Sequence, residues 1–346
     1  MTEEAKIRER DFSGIAFDRE DERDDAEFYS VERLVSHLDD QALGVVTEII
    51  GSLVVEDRPE ILDLMASCDS HLPVGLDPAN VVGLGMNGVE LDANPVLDSW
   101  VVHDLNREPA LPFADGAFDV VLNTVSVDYL TRPFAVFGEV ARVLRPGGLF
   151  LVLFSNRFFS EKVIRIWREA GDEQRLQLVE EYFASCPDLG PASHCSVHGR
   201  PRPEHDRYAH TGLPSDPVTA VWAEKQGGEW DRPERPIPDL EPWFIRDPEE
   251  LERRKAAVGA SLECPYCGDR LQKWAVPQTP FTEWDEEFHF ICFNDRCPYL
   301  LRGWRAMERQ GNRGFSYRLM FSPGRNRCMS VPVPSLNALR EGIVDD

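Results

Sequence analysis

Four cysteines in the last third of the chain have the type and spacing to hold a metal. Two residues separate Cys264 from Cys267, four separate Cys292 from Cys297, and 24 lie between the pairs. Four thiolates suit tetrahedral zinc. In Cys264-Pro-Tyr-Cys267-Gly, the glycine Gly268 lets the backbone turn around the ion. The second gap is longer than the usual two residues, so that knuckle must bulge. Four protein ligands leave no open position, and the metal would fold the module rather than catalyse. An iron–sulfur centre or a redox pair is the alternative. Cys68, Cys186, Cys195 and Cys328 are scattered, which argues against a disulfide scaffold.

A second set of reactive types lies between residues 61 and 129. The strand-like run Ile61-Leu62-Asp63-Leu64 opens into Met65-Ala66-Ser67-Cys68-Asp69, where a nucleotide-binding α/β unit would carry glycines. Asn123, Ser126, Asp128 and Tyr129 follow a later strand. Asp128 is a candidate to accept a proton from a hydroxyl or amine, Asn123 to steady a donor or substrate, and Tyr129 is a further catalytic candidate beside them. A polar strand end, a helix cap and a packed ring are their bland readings. His71 is a candidate base or orienting group, with a structural hydrogen bond as the equal alternative. His194, His198, His205 and His210 follow no compact metal spacing and read as surface or lid residues.

These residues need a scaffold. Phe28, Val31, Leu34, Val35 and Leu38 recur at helical spacing, and a second helix is expected over Asp40 to Leu53. Strands are expected at Glu60–Leu64, Asn80–Leu84, Trp100–His103, Phe118–Leu122 and Val218–Ala223. Helices are expected near Gly88, over Pro133–Leu144 and over Gln174–Phe183. Leu149–Phe154 is one continuous apolar run, which suits a parallel strand buried on both faces. Such alternation implies βαβ crossovers and a doubly wound, mostly parallel sheet. Pro187–Pro217 reads in part as a surface loop. Gly227–Asp247, rich in proline and charge, reads as a linker. Phe288, Phe290 and Ile291 read as a strand leading into the second cysteine pair, and Phe315–Phe321 as another strand.

Two phrases carry a family resemblance. Leu111-Pro-Phe-Ala-Asp-Gly-Ala-Phe-Asp-Val-Val121 leads into the fourth strand, and Arg142-Val-Leu-Arg-Pro-Gly-Gly148 precedes the fifth. With the order of elements, they make residues 60–225 resemble a divergent, type 11-like class I S-adenosylmethionine-dependent methyltransferase. Ser70-His-Leu-Pro73 looks like the end of the first loop in one branch of that family. The resemblance implies a seven-stranded Rossmann-like sheet and S-adenosylmethionine as cofactor. It implies a cofactor wall of Asp63, Met65, Ala66, Ser67, Asn87, Asp104, Leu105 and Asn123. Asp63 stands at the family's acidic position, and Met65, Ser67 and Asp69 where glycines usually stand. The carboxylate that usually receives the ribose falls near Gly85, with Asn87 as substitute. Asp104 matches the residue beside the adenine amine. The cysteine module resembles a zinc ribbon.

The expected organisation is an acidic arm and helical cap (1–58), a methyltransferase-like domain (59–228), a linker (229–260), and a zinc-ribbon-like domain with C-terminal extension (261–346). The formal charge of -24 repels phosphate backbones and anionic membranes. The acidic run from Asp18 to Glu27 reads as a solvated surface or flexible arm. No apolar run approaches the length of a membrane span, and Met1-Thr-Glu-Glu-Ala-Lys6 has no apolar core for a signal peptide, so a cytoplasmic protein is expected. Leu122-Asn-Thr-Val-Ser126 lacks the motif of base methylases. The expected reaction is therefore methyl transfer to a small molecule or a protein side chain by in-line attack, with nucleic acid disfavoured. The alternative is a non-catalytic scaffold acting in protein–protein interaction through the zinc-bearing domain. A third reading, RNA recognition, rests on Arg309, Arg313, Arg318, Arg325 and Arg327.

Overall fold

The computed structural model describes residues 16–227, 235, 236, 238, 248–277, 286–312 and 314–344. Its residues divide into two compact units. The first comprises 1–38, 43–196 and 218–238, and the second comprises 39–42, 197–217 and 239–346.

The first unit is built on seven strands: β1 (Glu60–Leu64), β2 (Asn80–Gly85), β3 (Ser99–Val102), β4 (Phe118–Thr124), β5 (Leu144–Phe154), β6 (Ser193–Val197) and β7 (Val218–Glu224). Their order is β3-β2-β1-β4-β5-β7-β6. β1, β2, β3, β4 and β5 pair parallel, and β7 returns antiparallel to β5. This is the expected doubly wound sheet. Helices α1 (Asp25–Phe28), α2 (Asp40–Leu53), α3 (Gly88–Asp92), α4 (Pro133–Val143), α5 (Arg165–Glu169) and α6 (Asp172–Ala184) accompany it. β5 is buried from Gly147 to Phe154 because both sheet faces are covered. Phe137 of α4, Phe150 of β5 and Phe183 of α6 meet edge-on or tilted at 4.8–5.1 Å between ring centres, and fill one such face.

The expected helix through Phe28, Val31, Leu34, Val35 and Leu38 does not form. After α1 the chain runs as an irregular strap to residue 39, with Val31, Leu34 and Val35 exposed. Side chains hold the strap's backbone. Asn87 Nδ2 donates to the Tyr29 carbonyl at 2.9 Å, and the Arg33 amide donates to Glu90 Oε1 at 2.7 Å. Those bonds compete with a helical ladder, and spacing alone cannot reveal them.

The acidic run is not simply a solvated arm. Lys162 is fully buried, with its ammonium 3.0 Å from Asp25 Oδ1 and 3.7 Å from Asp21 Oδ2. It also donates to the carbonyls of Asp21 (3.1 Å) and Arg23 (2.7 Å). Arg19 donates to both oxygens of Asp25 at 2.7 Å. Asp25 is therefore a buried counter-ion, whereas Asp24 caps α1.

The second unit holds α7 (Pro248–Ser261), β8 (Gln272–Ala275), β9 (Phe288–Ile291), α8 (Pro298–Arg309), β10 (Ser316–Ser322) and β11 (Arg327–Val333). The strands form an antiparallel sheet in the order β11-β10-β9-β8. α7 occupies the second half of the expected linker, most of whose first half lies outside the described residues, as do Phe281 and Trp284. Residues 197–217, expected in part as a surface loop, pack into this unit. An added Cβ on Gly199 would overlap the Trp304 indole, and the Leu336 amide donates to the Gly212 carbonyl at 2.6 Å. Arg202 sits between Asp39 (3.2 Å) and Asp216 (2.7 Å). The expected basic stretch is also broken. Arg318 is buried, donating to Asp295 Oδ1 (2.5 Å) and to the carbonyls of Cys292 and Leu336, while Arg313 lies outside the described residues. Among the described residues no helix is long and apolar enough to cross a membrane.

Candidate active site and metal centre

A cavity of about 440 Å³ opens at the carboxyl ends of the parallel strands. Asp63, Met65, Ala66, Ser67 and His71 line it from the first loop, and Asn87 and Glu90 from the start of α3. Asp104 and Leu105 follow β3, and Thr124, Ser126 and Tyr129 follow β4. The strap and Phe158–Phe159 close it.

The first loop turns through left-handed backbone at residues that carry side chains. Met65 has φ 63° and His71 φ 55°, both left-handed, a conformation that costs a side-chain-bearing residue energy unless its surroundings enforce it. Here they do. The Ala66 amide donates to the Leu84 carbonyl at 2.8 Å. Ser67 Oγ donates to Glu90 Oε2 at 2.7 Å. Asn94 Nδ2 donates to the Ser67 carbonyl and to Ser70 Oγ, both at 2.9 Å. Gly85 permits this close approach, because a Cβ there would overlap the Ala66 carbonyl oxygen. The Met65 side chain, half-buried, packs against the main apolar core at the cavity wall. The cavity stays open beside it.

Asp63 is buried beneath this loop. Burial raises its carboxyl to about 7, against a hydrogen bond from Ser70 that pulls it down. A carboxyl raised on folding holds its proton longer when folded, so its contribution is fully present below about pH 4 and is lost as pH rises to about 7. Stability should then fall across that window at up to about 1.4 kcal/mol per pH unit. Buried Asp128, raised to about 8, adds a slope of the same sign, so Asp63→Asn should lessen the fall by up to about 1.4 kcal/mol per pH unit without removing it, as urea unfolding at several pH values would show. An unchanged slope would assign the titration elsewhere.

Other expected residues are placed differently. Asn87 caps α3, its Oδ1 accepting from the Val89 (2.9 Å) and Glu90 (3.2 Å) amides while Nδ2 holds the strap. That leaves it little capacity for a ribose. Asp104 Oδ1 accepts from the Asn106 and Arg107 amides. Asn123 does not line the cavity. Its Nδ2 donates to the Leu64 carbonyl at 3.1 Å and ties β4 to the end of β1. Asp128 does not line it either. It is buried at 2 % exposure, and burial raises its carboxyl to about 8. The short 3-10 turn Val127–Tyr129 aims Tyr129, not Asp128, at the cavity. As a base toward a substrate there, Asp128 is corrected to a neutral interior group. Tyr129 Oη accepts from the Phe159 amide at 2.8 Å, and its ring stacks on Phe159. His71 stands 3.1 Å from Asp69, and burial lowers the imidazole below its ordinary range.

The sequence reading missed Glu90, Thr124 and the strap. The hydroxyls of Thr124 and Ser126 are buried in the cavity wall with no hydrogen-bond partner among the described residues. Buried polar atoms are rarely left so, but both oxygens are sealed from the cavity space and describe its wall rather than a ligand contact.

In the second unit the four cysteine sulfurs lie within 4.8 Å of one another, with Cys264–Cys297 at 3.8 Å and Cys267–Cys292 at 3.6 Å. A tetrahedral site with Zn–S near 2.3 Å needs sulfurs about 3.8 Å apart, so the set fits zinc. Gly268 turns at φ 80°, and the Gly268 amide returns to the Cys264 carbonyl at 2.8 Å. The longer knuckle closes through Asn294, whose carbonyl accepts from the Cys297 amide and whose side chain accepts from Arg296. Asp295 inside it is clamped by Arg318 and Arg340.

Residues 79–152 match the family model described as a methyltransferase domain. The chain is 46% identical over 102 residues to a ubiquinone/menaquinone biosynthesis C-methyltransferase of Roseobacter denitrificans, covering 26% of this chain and 40% of that protein. It is 34% identical over 80 residues to an uncharacterized methyltransferase of Mycobacterium marinum, covering 21% and 31%. The chain thus spans less than half the length of these curated relatives. Among solved structures, the Haloferax volcanii complex of a methyltransferase with the Trm112 methyltransferase activator aligns at 17% identity and TM-score 0.41. That alignment covers 54% of this chain and 92% of that one.

Proposed function

We propose, with a class I methyltransferase domain over residues 79–152 as the premise, that the first unit binds S-adenosylmethionine in the strand-end cavity and transfers its methyl to a small-molecule or protein acceptor. The observation that carries this reading is the open cavity at the carboxyl ends of the parallel strands, lined by the Asp63, Glu90 and Asp104 carboxylates. When bound, the cofactor supplies a methyl on a sulfonium, open to in-line attack. The residues' work is to align the acceptor and exclude water. Asp63 and the Met65–Ser67 turn would hold the amino-acid end, Glu90 the ribose hydroxyls that Gly85 cannot reach, and Asp104 with Leu105 the adenine. Burial keeps His71 neutral near pH 7, so its ring can accept a proton, and Tyr129 lies in the same wall. In the second unit a structural zinc would sit on Cys264, Cys267, Cys292 and Cys297.

Calorimetry on the full, zinc-loaded chain tests this. Saturable S-adenosylmethionine binding is expected, weakened about tenfold or more by Glu90→Gln, the cost of one charged hydrogen bond. A cationic ligand favours ionised Asp63, so affinity should rise as pH increases through about 7, with proton release on binding below that. No binding by folded protein would sink the enzyme reading. One observation favours the alternative, a non-catalytic scaffold that engages a protein partner through the zinc-bearing unit: β2 ends in Gly85, not a carboxylate.

A further inference from the structure

The strap that walls the cavity carries a cation without a counter-charge. The chain has a net charge of -24, and arginines such as Arg19, Arg142 and Arg202 meet carboxylates. Arg33 meets none among the described residues. Its guanidinium lies 4.5 Å from the Phe28 ring centre and 5.3 Å from that of Phe159. Among the described residues it donates to the carbonyls of Phe28 (3.1 Å) and Val31 (3.2 Å). A guanidinium has five N–H donors, so several remain for a ligand. Aromatic stacking fixes the plane of the fork without neutralising it. The carboxylates of Asp25, Glu90 and Asp104 line the same cavity, but none pairs with this guanidinium among the described residues, and the strap's next two residues are apolar. Leu34 and Val35 line the same cavity, yet are 55% and 61% exposed, so the apolar wall continues from the cavity to the outside. Contiguous exposed aliphatics at a cavity mouth mark a binding surface.

We infer that the acceptor site admits an anion with an apolar body, such as an aryl or alkyl carboxylate. Arg33 takes the charge, and Leu34 and Val35 take the hydrocarbon. This rests on the methyl-transfer reading for its meaning as an acceptor site, but its test does not depend on cofactor binding. The field of the whole chain repels anions in general, so a local unpaired cation selects those with enough apolar surface to stay.

The probes are 1-naphthoate and its neutral relative 1-naphthalenemethanol, titrated by fluorescence into the full zinc-loaded chain. Naphthoate is expected to bind saturably and more tightly. Arg33→Met keeps the apolar stem and should weaken naphthoate about tenfold or more, with the alcohol changed less than about twofold. Leu34→Asn should weaken both. Equal losses for the two probes in Arg33→Met would overturn the anion assignment, and no saturable binding of either would overturn the site. Sedimentation that showed a dimer dispersed by Leu34→Asn would overturn it too, by giving the strap a second copy as its occupant. Naphthoate binding without S-adenosylmethionine binding would leave this site standing and remove the methyl-transfer reading.

Discussion

Replacing Cys292 with serine is expected to abolish tight zinc binding and to unfold the second unit around it. Cys292 is buried, closes one edge of the sulfur set opposite Cys267, and offers its carbonyl to buried Arg318. The apolar cluster there is small and includes Cys264, Cys292 and Cys297 themselves, with Leu300, Leu319 and Phe321. Structural zinc contributes roughly 10–16 kcal/mol to such modules, more than a core this size supplies. Atomic absorption should find about one zinc per chain in the wild type and none in Cys292→Ser. Hydrogen exchange should show β9 and β10 deprotected in the variant and after chelation. Full protection in metal-free protein would refute a structural zinc. Iron in its place would support the cluster alternative.

Lys162→Met is the second large effect. Methionine matches the stem's length but leaves the Asp25 and Asp21 carboxylates without the buried ammonium that joins them. Breaking one partner of a buried ion pair costs about 3–5 kcal/mol, because the remaining charge stays desolvated. Arg19 still faces Asp25, so the loss should be local. Exchange protection should vanish for residues 19–28 and the strap while β4 and β5 stay protected, and the unfolding midpoint should fall. A variant as stable as the parent, with the segment protected, would show that Arg19 alone balances the carboxylates.

The legible parts of the sequence were those whose physics is local. The run Leu149–Phe154 had one solution, a strand covered on both faces, and the structure has it there. α2 begins and ends where expected, at Asp40 and Leu53. The cysteine spacing foresaw sulfurs that do converge. Misreadings came where distant side chains decide. Val31, Leu34 and Val35 have helical spacing, but Asn87 and Glu90 bind that backbone from more than 50 residues away. Nothing in the local sequence sets Glu90 apart, and Asp25 stands as one more acid in an acidic run. Asp128 follows β4, where one residue's rotation within a tight turn exchanges cavity for core. No periodicity encodes that rotation.

The first loop has a wider consequence. Glycine turns hold their shape by backbone permissiveness, which no substitution can adjust by degrees. Here the shape is stored in Ser67, Ser70, Asn94 and Glu90, groups that can each be exchanged singly. The curvature of this wall is a graded quantity. Small hydroxyl-for-amide swaps would retune the chamber's breadth in steps, a latitude that a turn built on glycine lacks.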